Sequence, residues 1–451
     1  MAIEIPRFLK RPAIRMVDIA RKTDSLKFLP ELLESQWWNL SMLEELQAKR
    51  MAELGRYVRQ NVPYWAAAFV KAGFDDDEVL TPENIARLPL LNKDMIRVAG
   101  DSLKSREFEK WQPRHKNTSG STGVPLDYYI DRPAHSWQWA HMWRGWAQTG
   151  YVPGDLYAAI SGGSLVPEKA ALKQTIYLAL SSALHFPTYH MNDEIMERYS
   201  ERLAKSPIDF VYGYPSSMEI FSEYITASPR KKIPMKAVFT TSEGLSPKAR
   251  AAIELAFECP VYDTYGCNDG GIFSFECEHH NGLHMGMETD FVEIVDEKGQ
   301  RVPDGEPGEV IATNLVIRAM PLLRFRTGDI ASLTREPCEC GRGLIRVQEL
   351  SGRERDVIHT PDGRKIHGAF FTHFEALHHA DWIARFQIHQ PDANTFILRV
   401  ILRREPSEAD KQAVIKDLRT AMGDMEYRIE VVEKMMLTRT GKFRIIVSDI
   451  G

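Results

Sequence analysis

Between Pro30 and Val62 the apolar positions Leu32, Leu33, Trp37, Trp38, Leu43, Leu46, Met51, Leu54 and Tyr57 recur at three- and four-residue steps. That period predicts an amphipathic helix, or a helical pair, docked on a larger body. Thr81-Pro82-Glu83-Asn84 predicts a helix start, with Thr as cap and Pro in the first turn. The segment holding Trp137, Trp139, Trp143 and Trp146 reads as core or docking surface, with one ring walling a pocket as the alternative. Further on, β-branched or aromatic runs at Leu156 to Ile160, Phe210 to Tyr214, Ala237 to Thr241 and Val261 to Tyr265 predict strands. Asp193 to Ala204, Ser216 to Ala227 and Pro247 to Phe257 predict the helices between them. Such alternation implies a parallel sheet with crossover helices, whose ligands gather at the carboxyl ends of strands. Ser242-Glu243 and Asn268-Asp269 fall at or just after those ends.

From Phe291 the pattern changes to consecutive strands, at Phe291 to Val295, Glu309 to Ala312 and Leu322 to Phe325, which predicts an antiparallel subdomain. After Gly352 it changes again. Asp356 to His359 and Lys365 to Gly368 flank the turn signal Thr360-Pro361-Asp362-Gly363. A helix, a hairpin around Gln390 to Asn394, a helix capped by Ser407 with Asp410, and a last strand near Ile429 to Val432 complete a small α+β unit.

The 451 residues are too many for one ordinary core and predict two or three domains. A net charge of -5 argues against a general nucleic-acid partner. Met1 to Met16 holds no continuous apolar run, and no later window approaches a membrane span, so a cytoplasmic protein without a membrane partner is expected. Five cysteines, an odd number in so long a chain, argue against a disulfide scaffold.

The stretch Asn117 to Pro125, reading Asn-Thr-Ser-Gly-Ser-Thr-Gly-Val-Pro, cannot build a core. Gly120 and Gly123 let amides converge, and Thr118, Ser119, Ser121 and Thr122 add hydroxyl donors. Such a loop suits an anion, a triphosphate being the common small one; a solvated turn is the competing reading. No Lys follows the second glycine, so it is not a Walker loop.

This loop is followed in order by Thr264-Tyr265-Gly266-Cys267-Asn268-Asp269, Arg324-Phe325-Arg326-Thr327-Gly328-Asp329, Gly352-Arg353 and Thr440-Gly441-Lys442. The order resembles the adenylate-forming superfamily, and within it the phenylacetate-CoA ligase family. Tyr212-Gly213-Tyr214-Pro215-Ser216-Ser217, the run Ala237 to Glu243 and Cys338-Glu339-Cys340-Gly341-Arg342 resemble its capsular-polysaccharide-associated branch.

The resemblance implies an α/β fold: a large N-terminal adenylation domain over 1–351 with mixed parallel sheets and an antiparallel subdomain, and a small mobile α+β lid over 352–451. Within the first it implies a helical segment to about residue 110, a nucleotide-binding core, and a zinc-bearing subdomain over about 270–350. It implies that Thr118, Ser119, Gly120, Ser121, Thr122 and Gly123 hold the β- and γ-phosphates of ATP, and that Asp329 accepts from the ribose hydroxyls. Ser242 and Glu243 would lie along the adenine, with Asp263, Thr264, Tyr265, Gly266, Asn268 and Arg353 as further nucleotide-side residues. Asp269 stands where the family usually has a magnesium-binding Glu, and Asn268 where it has Ser or Thr. Lys442 would neutralise charge developing during adenylation. Gly352-Arg353 would begin the hinge, although Arg355 stands where relatives commonly have Asp.

Cys277 precedes His279, His280 and His284, and Cys338-Glu339-Cys340 follows. Three thiolates and an imidazole suit a closed structural zinc site. The expected ligands are Cys277, His284, Cys338 and Cys340, with His279 as substitute and unliganded thiols as the alternative. Tyr212 and Tyr214 read equally as an aromatic acyl pocket or as core.

The expected activity joins a small-molecule carboxylic acid to AMP, releases pyrophosphate, and passes the acyl group to a thiol, with coenzyme A the default acceptor. The alternatives are transfer to an amine or a carrier protein, AMP transfer to a hydroxyl, and a nucleotide-binding protein without turnover. A homodimer is compatible with the family.

Overall fold

The computed structural model describes residues 18, 23–117, 126–161, 182–188, 191–229, 232–267, 270–353, 357–362, 365–367, 371, 374–378, 380–436 and 443–450. The loop Thr118 to Gly123, Asn268, Asp269 and Lys442 lie outside these described residues.

The helical pair expected near the start is two helices, α1 (Ser25–Ser35) and α2 (Leu40–Asn61), followed by α3 (Pro63–Lys71). Asn39 separates the pair by capping α2, its side chain accepting from the Met42 amide. The helix expected from Thr81 does not form. Thr81 Oγ accepts from the Glu83 and Asn84 amides, but the chain closes only one 3-10 turn, Ile85–Arg87. Leu88 precedes Pro89 and is extended, as the proline ring requires, so helix cannot propagate. Asn92 then caps the short helix α4 (Lys93–Ala99).

The strands β1 (Arg114–Asn117) and β2 (Asp127–Ile130) form an antiparallel hairpin that leads through Asp131 into α5 (Arg132–Ala147). Asp131 is fully buried. One carboxylate oxygen caps α5 by accepting from Ala134 N at 3.0 Å; the other accepts from Arg318 N at 2.6 Å and Ala319 N at 3.1 Å. The tryptophans of α5 are core: Trp137, Trp143 and Trp146 are buried, and Trp139 is half-buried. Trp146 stacks on Phe239 at 4.7 Å and meets Tyr151, Tyr157 and Tyr212 edge-on.

Beyond α5 come β3 (Tyr157–Ser161), β4 (Ala183–Pro187), α6 (Asp193–Ala204), β5 (Phe210–Gly213), α7 (Pro215–Ala227), β6 (Ala237–Thr241), α8 (Pro247–Phe257) and β7 (Val261–Cys267). The strands lie parallel in the order β7-β6-β5-β3-β4. Every residue of β3 and β6 is buried, so these strands read as near-continuous apolar runs. The sheet continues antiparallel through β8 (Ile272–Glu276), β9 (Leu283–Met285), β10 (Asp290–Val295), β11 (Gly308–Asn314), β12 (Phe325–Thr334) and β13 (Arg346–Arg353). Its full order is β10-β11-β12-β13-β9-β8-β7-β6-β5-β3-β4. The strand expected at Leu322 to Phe325 instead starts at Phe325 and runs to Thr334. Thr327, Asp329 and Ser332 are buried polar residues within it, and they interrupt the apolar pattern that marks a strand.

A second unit has its own sheet and core. β14 (Val357–His359) pairs with β15 (Lys365–His367) across the expected turn. α9 (Glu375–His378), β16 (Ile383–Asp392), β17 (Thr395–Leu402), α10 (Glu408–Met422), β18 (Glu426–Val431) and β19 (Ile446–Ser448) follow, with sheet order β18-β17-β16-β19. Ser407 and Asp410 form a reciprocal capping box on α10. The chain does not end on β18, the strand expected near Ile429; β19 adds a last parallel strand beside β16. Among the described residues no helix is long and apolar enough to cross a membrane.

Asp131→Ala removes a helix cap and strands two amides, so it should lower unfolding free energy by about 2–4 kcal/mol. Urea denaturation checks this, and a loss below about 0.5 kcal/mol, ordinary for a surface site, would contradict the role given to Asp131.

Candidate active site

The carboxyl ends of β5, β6 and β7 lie side by side in the parallel part of the sheet, and the end of β7 meets the middle of β12. Tyr265 on β7 donates to Asp329 Oδ2 on β12 at 2.9 Å, and both side chains are buried. Three strands lie between β7 and β12 in the hydrogen-bonded order. A flat sheet would hold them about 19 Å apart, so the contact requires the sheet to curl strongly upon itself. Burial, and then the charge of Asp329, raises the Tyr265 hydroxyl well above its ordinary pKa, keeping it a donor. The Asp329 amide donates to Thr327 Oγ1 at 3.1 Å, and Asp329 is the register partner of Arg353 on β13.

The loop after β6 turns sharply because Ser242 adopts φ 71°, a left-handed conformation that few non-glycine residues take. This turn aims Glu243, half-buried, back at the start of α7. Glu243 Oε2 accepts from Ser216 N at 3.1 Å, and Oε1 accepts from Phe443 N at 2.8 Å. The residue following Lys442 is thereby fixed at the strand ends. Asp263 on β7 faces Thr240, whose hydroxyl donates to Asp263 Oδ1, and Thr264 donates to the Thr240 carbonyl at 2.6 Å. Burial pushes the Asp263 carboxyl up to about 7, the Thr240 hydroxyl pulls it down, and Glu276 pushes it further up.

The segment leaving Asp269 is pinned against β11. Gly271 has φ +70°, and a Cβ there would meet the Asn314 Cβ at 2.9 Å; Asn314 Nδ2 donates to the Gly271 carbonyl at 2.8 Å. Of the expected residues, Ser242, Glu243, Asp263, Thr264, Tyr265, Gly266 and Asp329 gather along these strands, and Arg353 joins them through its backbone register. Ser216, Asn314 and Phe443 hold the arrangement as well, through contacts between distant parts of the chain that no local sequence signal announces. Tyr214 is fully buried in the core, while Tyr212 is half-buried against Trp146, its hydroxyl pushed up to about 12 by burial.

Cys277, His284, Cys338 and Cys340 bring one ligand atom each to within 4.8 Å of one another. Cys277 Sγ lies 3.7 Å from Cys338 Sγ, and Cys340 Sγ lies 3.3 Å from His284 Nε2. Burial, with Arg342 and Arg346 nearby, holds His284 down at about 3, so its imidazole is neutral. His279 instead faces Glu339 at 3.3 Å. Three sulfurs and one imidazole form a group that could hold a soft or borderline metal ion.

A parallel sheet extended by antiparallel strands, with a second small sheet docked at the strand ends, is the fold of the adenylate-forming CoA ligases. A 2-hydroxyisobutyryl-CoA ligase in its postadenylation state superposes with TM-score 0.70 at 20% identity, over 92% of this chain and 93% of that one. The same ligase in its thioesterification state gives 0.58 at 22% identity, over 91% and 90%. Residues 358–449 match the CapK C-terminal domain family. Protein CapK of Staphylococcus aureus is 24% identical over 90% of this chain and 90% of its own length. A phenylacetate-coenzyme A ligase of Thermus thermophilus is 28% identical over 70% and 71%. The chain is thus similar to CapK over nearly its whole length and to the phenylacetate-coenzyme A ligases over about 70% of it.

Asp263 carries a carboxyl raised above its unfolded value, so the folded state favours the proton, and stability falls as pH rises from about 4 toward 7. Asp263→Asn removes that dependence and keeps an acceptor for Thr240. The stability of the variant relative to wild type should therefore be greater at pH 8 than at pH 5 in denaturant titrations; equal differences at both pH values would refute the shift.

Proposed function

We propose that this protein uses ATP to convert a carboxylic acid into an acyl-adenylate, releasing pyrophosphate, and then passes the acyl group to the thiol of coenzyme A. The observation carrying this reading is the hydrogen bond from Phe443 N to Glu243, which sets the segment next to Lys442 on the edge occupied by Tyr265 and Asp329. Phenylacetate-coenzyme A ligases are among the relatives, and the fold belongs to that class.

In the first step a carboxylate oxygen attacks the α-phosphorus, the bond to the β-phosphate oxygen breaks, and pyrophosphate leaves. Asp329, oriented by Tyr265, accepts from the ribose hydroxyls. The loop Thr118 to Gly123 supplies amide and hydroxyl donors to the phosphates, and Lys442 neutralises charge that develops in transfer. When bound, magnesium supplies charge neutralisation at the phosphates, with Asp269 the carboxylate assigned to it. In the second step the thiolate attacks the acyl carbon and AMP departs. Residues 352–451 act as the lid that rearranges between the steps, with Arg353 at its root. Cys277, His284, Cys338 and Cys340 would hold a zinc ion, which would tie together the residue after β8, β9 and the turn before β13 as a structural cross-link.

A pyrophosphate-release screen over aryl, aliphatic, amino and sugar acids should find at least one acid that depends on ATP and coenzyme A for turnover. With that acid, Lys442→Ala should lower adenylation by about a hundred- to thousandfold or more at an unchanged melting temperature. Release from no acid in the panel would sink the ligase reading, and wild-type rates in the variant would remove the role of Lys442.

Elemental analysis of protein purified without chelator should find about one zinc per chain, lost in Cys338→Ser. Less than about one-tenth equivalent in the wild type would count against the zinc site.

A further inference from the structure

Among the described residues β15 approaches β13, and the second unit also meets the first around α7. At its N-terminus, Glu243 accepts from Ser216 N and from Phe443 N. Along its exposed side, Arg385 at the start of β16 faces Glu223 at 3.4 Å and Glu219 at 3.8 Å. Lys248 on α8 reaches the same two carboxylates at 3.7 and 3.4 Å and donates to the Ala384 carbonyl at 3.2 Å.

The two contacts differ in kind. The Arg385 and Lys248 pairs are long and partly exposed, and pairs of that sort contribute little and tolerate sliding. The Glu243 contact is a half-buried carboxylate receiving two amides, which is short and directional. Its geometry depends on the left-handed turn at Ser242, a conformation with an energetic cost that persists where the surroundings require it. The superposition fits this picture. One ligase in two states gives 0.70 for postadenylation and 0.58 for thioesterification, so the elements here are placed as in the former.

We propose that Glu243 is the positioning residue that latches the lid for adenylation: its carboxylate binds Phe443 N to the N-terminus of α7, and this bond must break before acyl transfer. The proposal rests on the ligase reading above. It adds that a single side chain of the first unit biases the lid toward one half-reaction. Removing it should penalise adenylate formation more than the later step.

Two readouts test it. The first needs no acid and uses hydrogen exchange by mass spectrometry on wild type, Glu243→Ala and Glu243→Gln. In the alanine variant, peptides containing Phe443 and Ala384-Arg385 should exchange about ten- to hundredfold faster, the change expected from losing a charge-assisted hydrogen bond. Peptides of β5, β6 and β7 should be unchanged. Glutamine keeps one acceptor oxygen and should restore part of the protection at Phe443. Unchanged protection at Phe443 in the alanine variant overturns the latch, and so does faster exchange throughout the sheet, which would make Glu243 only a structural residue.

The second readout uses the acid found in the pyrophosphate screen. Glu243→Ala should slow acid-dependent pyrophosphate exchange at least about tenfold more than it slows conversion of the synthetic acyl-adenylate and coenzyme A to thioester. Equal losses in both half-reactions overturn the proposal. Should the wild type turn over no acid, the ligase reading fails, while hydrogen exchange still decides the latch.

Discussion

The carboxylate of Glu243, held between the amides of Ser216 and Phe443, is the contact on which the arrangement of this molecule depends. It joins two units that also meet, among the described residues, through long, partly exposed ion pairs on α7. Adenylation chemistry needs donors and a cation converging on phosphate oxygens from more than one side, which a single sheet edge cannot supply. A carboxylate that accepts from both sides solves the placement while leaving the bond breakable. One such hydrogen bond contributes on the order of 1.5–3 kcal/mol, enough to favour an arrangement and small enough to be released.

The sheet must be rigid for that placement to have meaning, and its halves achieve this differently. The parallel half is dry and aromatic, with Trp146 against Phe239 and Phe210 at its centre. The antiparallel half carries a buried polar network. Arg144 and Glu288, both fully buried, pair at 2.7 Å; Ser35 donates to Glu288, and His141 meets Arg144 and Thr289. Taking such a pair out of water is costly, and hydrogen bonds from α1 and α5 offset part of that cost. What the network contributes is specificity: it ties the N-terminal helices to β10 in one register, through Gln47 on the Asp290 carbonyl and Asp290 on Phe273 N. The cysteine and histidine group lies where β9 meets β13, at the joint of the two halves of the antiparallel region.

How much of this was legible in the sequence follows from the same physics. Strands buried on both faces announce themselves, and Ala237 to Thr241, Asp193 to Ala204 and Pro247 to Phe257 match the observed elements end to end. Where function places polar groups inside a strand, periodicity fails: Thr327 and Asp329 hid most of β12, and β9, with three residues, is too short to show a period. The cysteine group was readable because thiols are rare and their chemistry is narrow. The Tyr265 to Asp329 and Glu243 to Phe443 contacts were not readable. They arise from the curl of the sheet and the docking of a second unit, which connect residues 64 and 200 positions apart.

The curled sheet around Asp329 and Tyr265 is the nucleotide site proposed above. Calorimetric titration of the full chain with ATP and magnesium tests it most directly, without knowledge of the acid. The account predicts saturable binding that is lost in Asp329→Ala, with the variant folded. Absence of binding in the wild type, or equal binding in the two proteins, would contradict it.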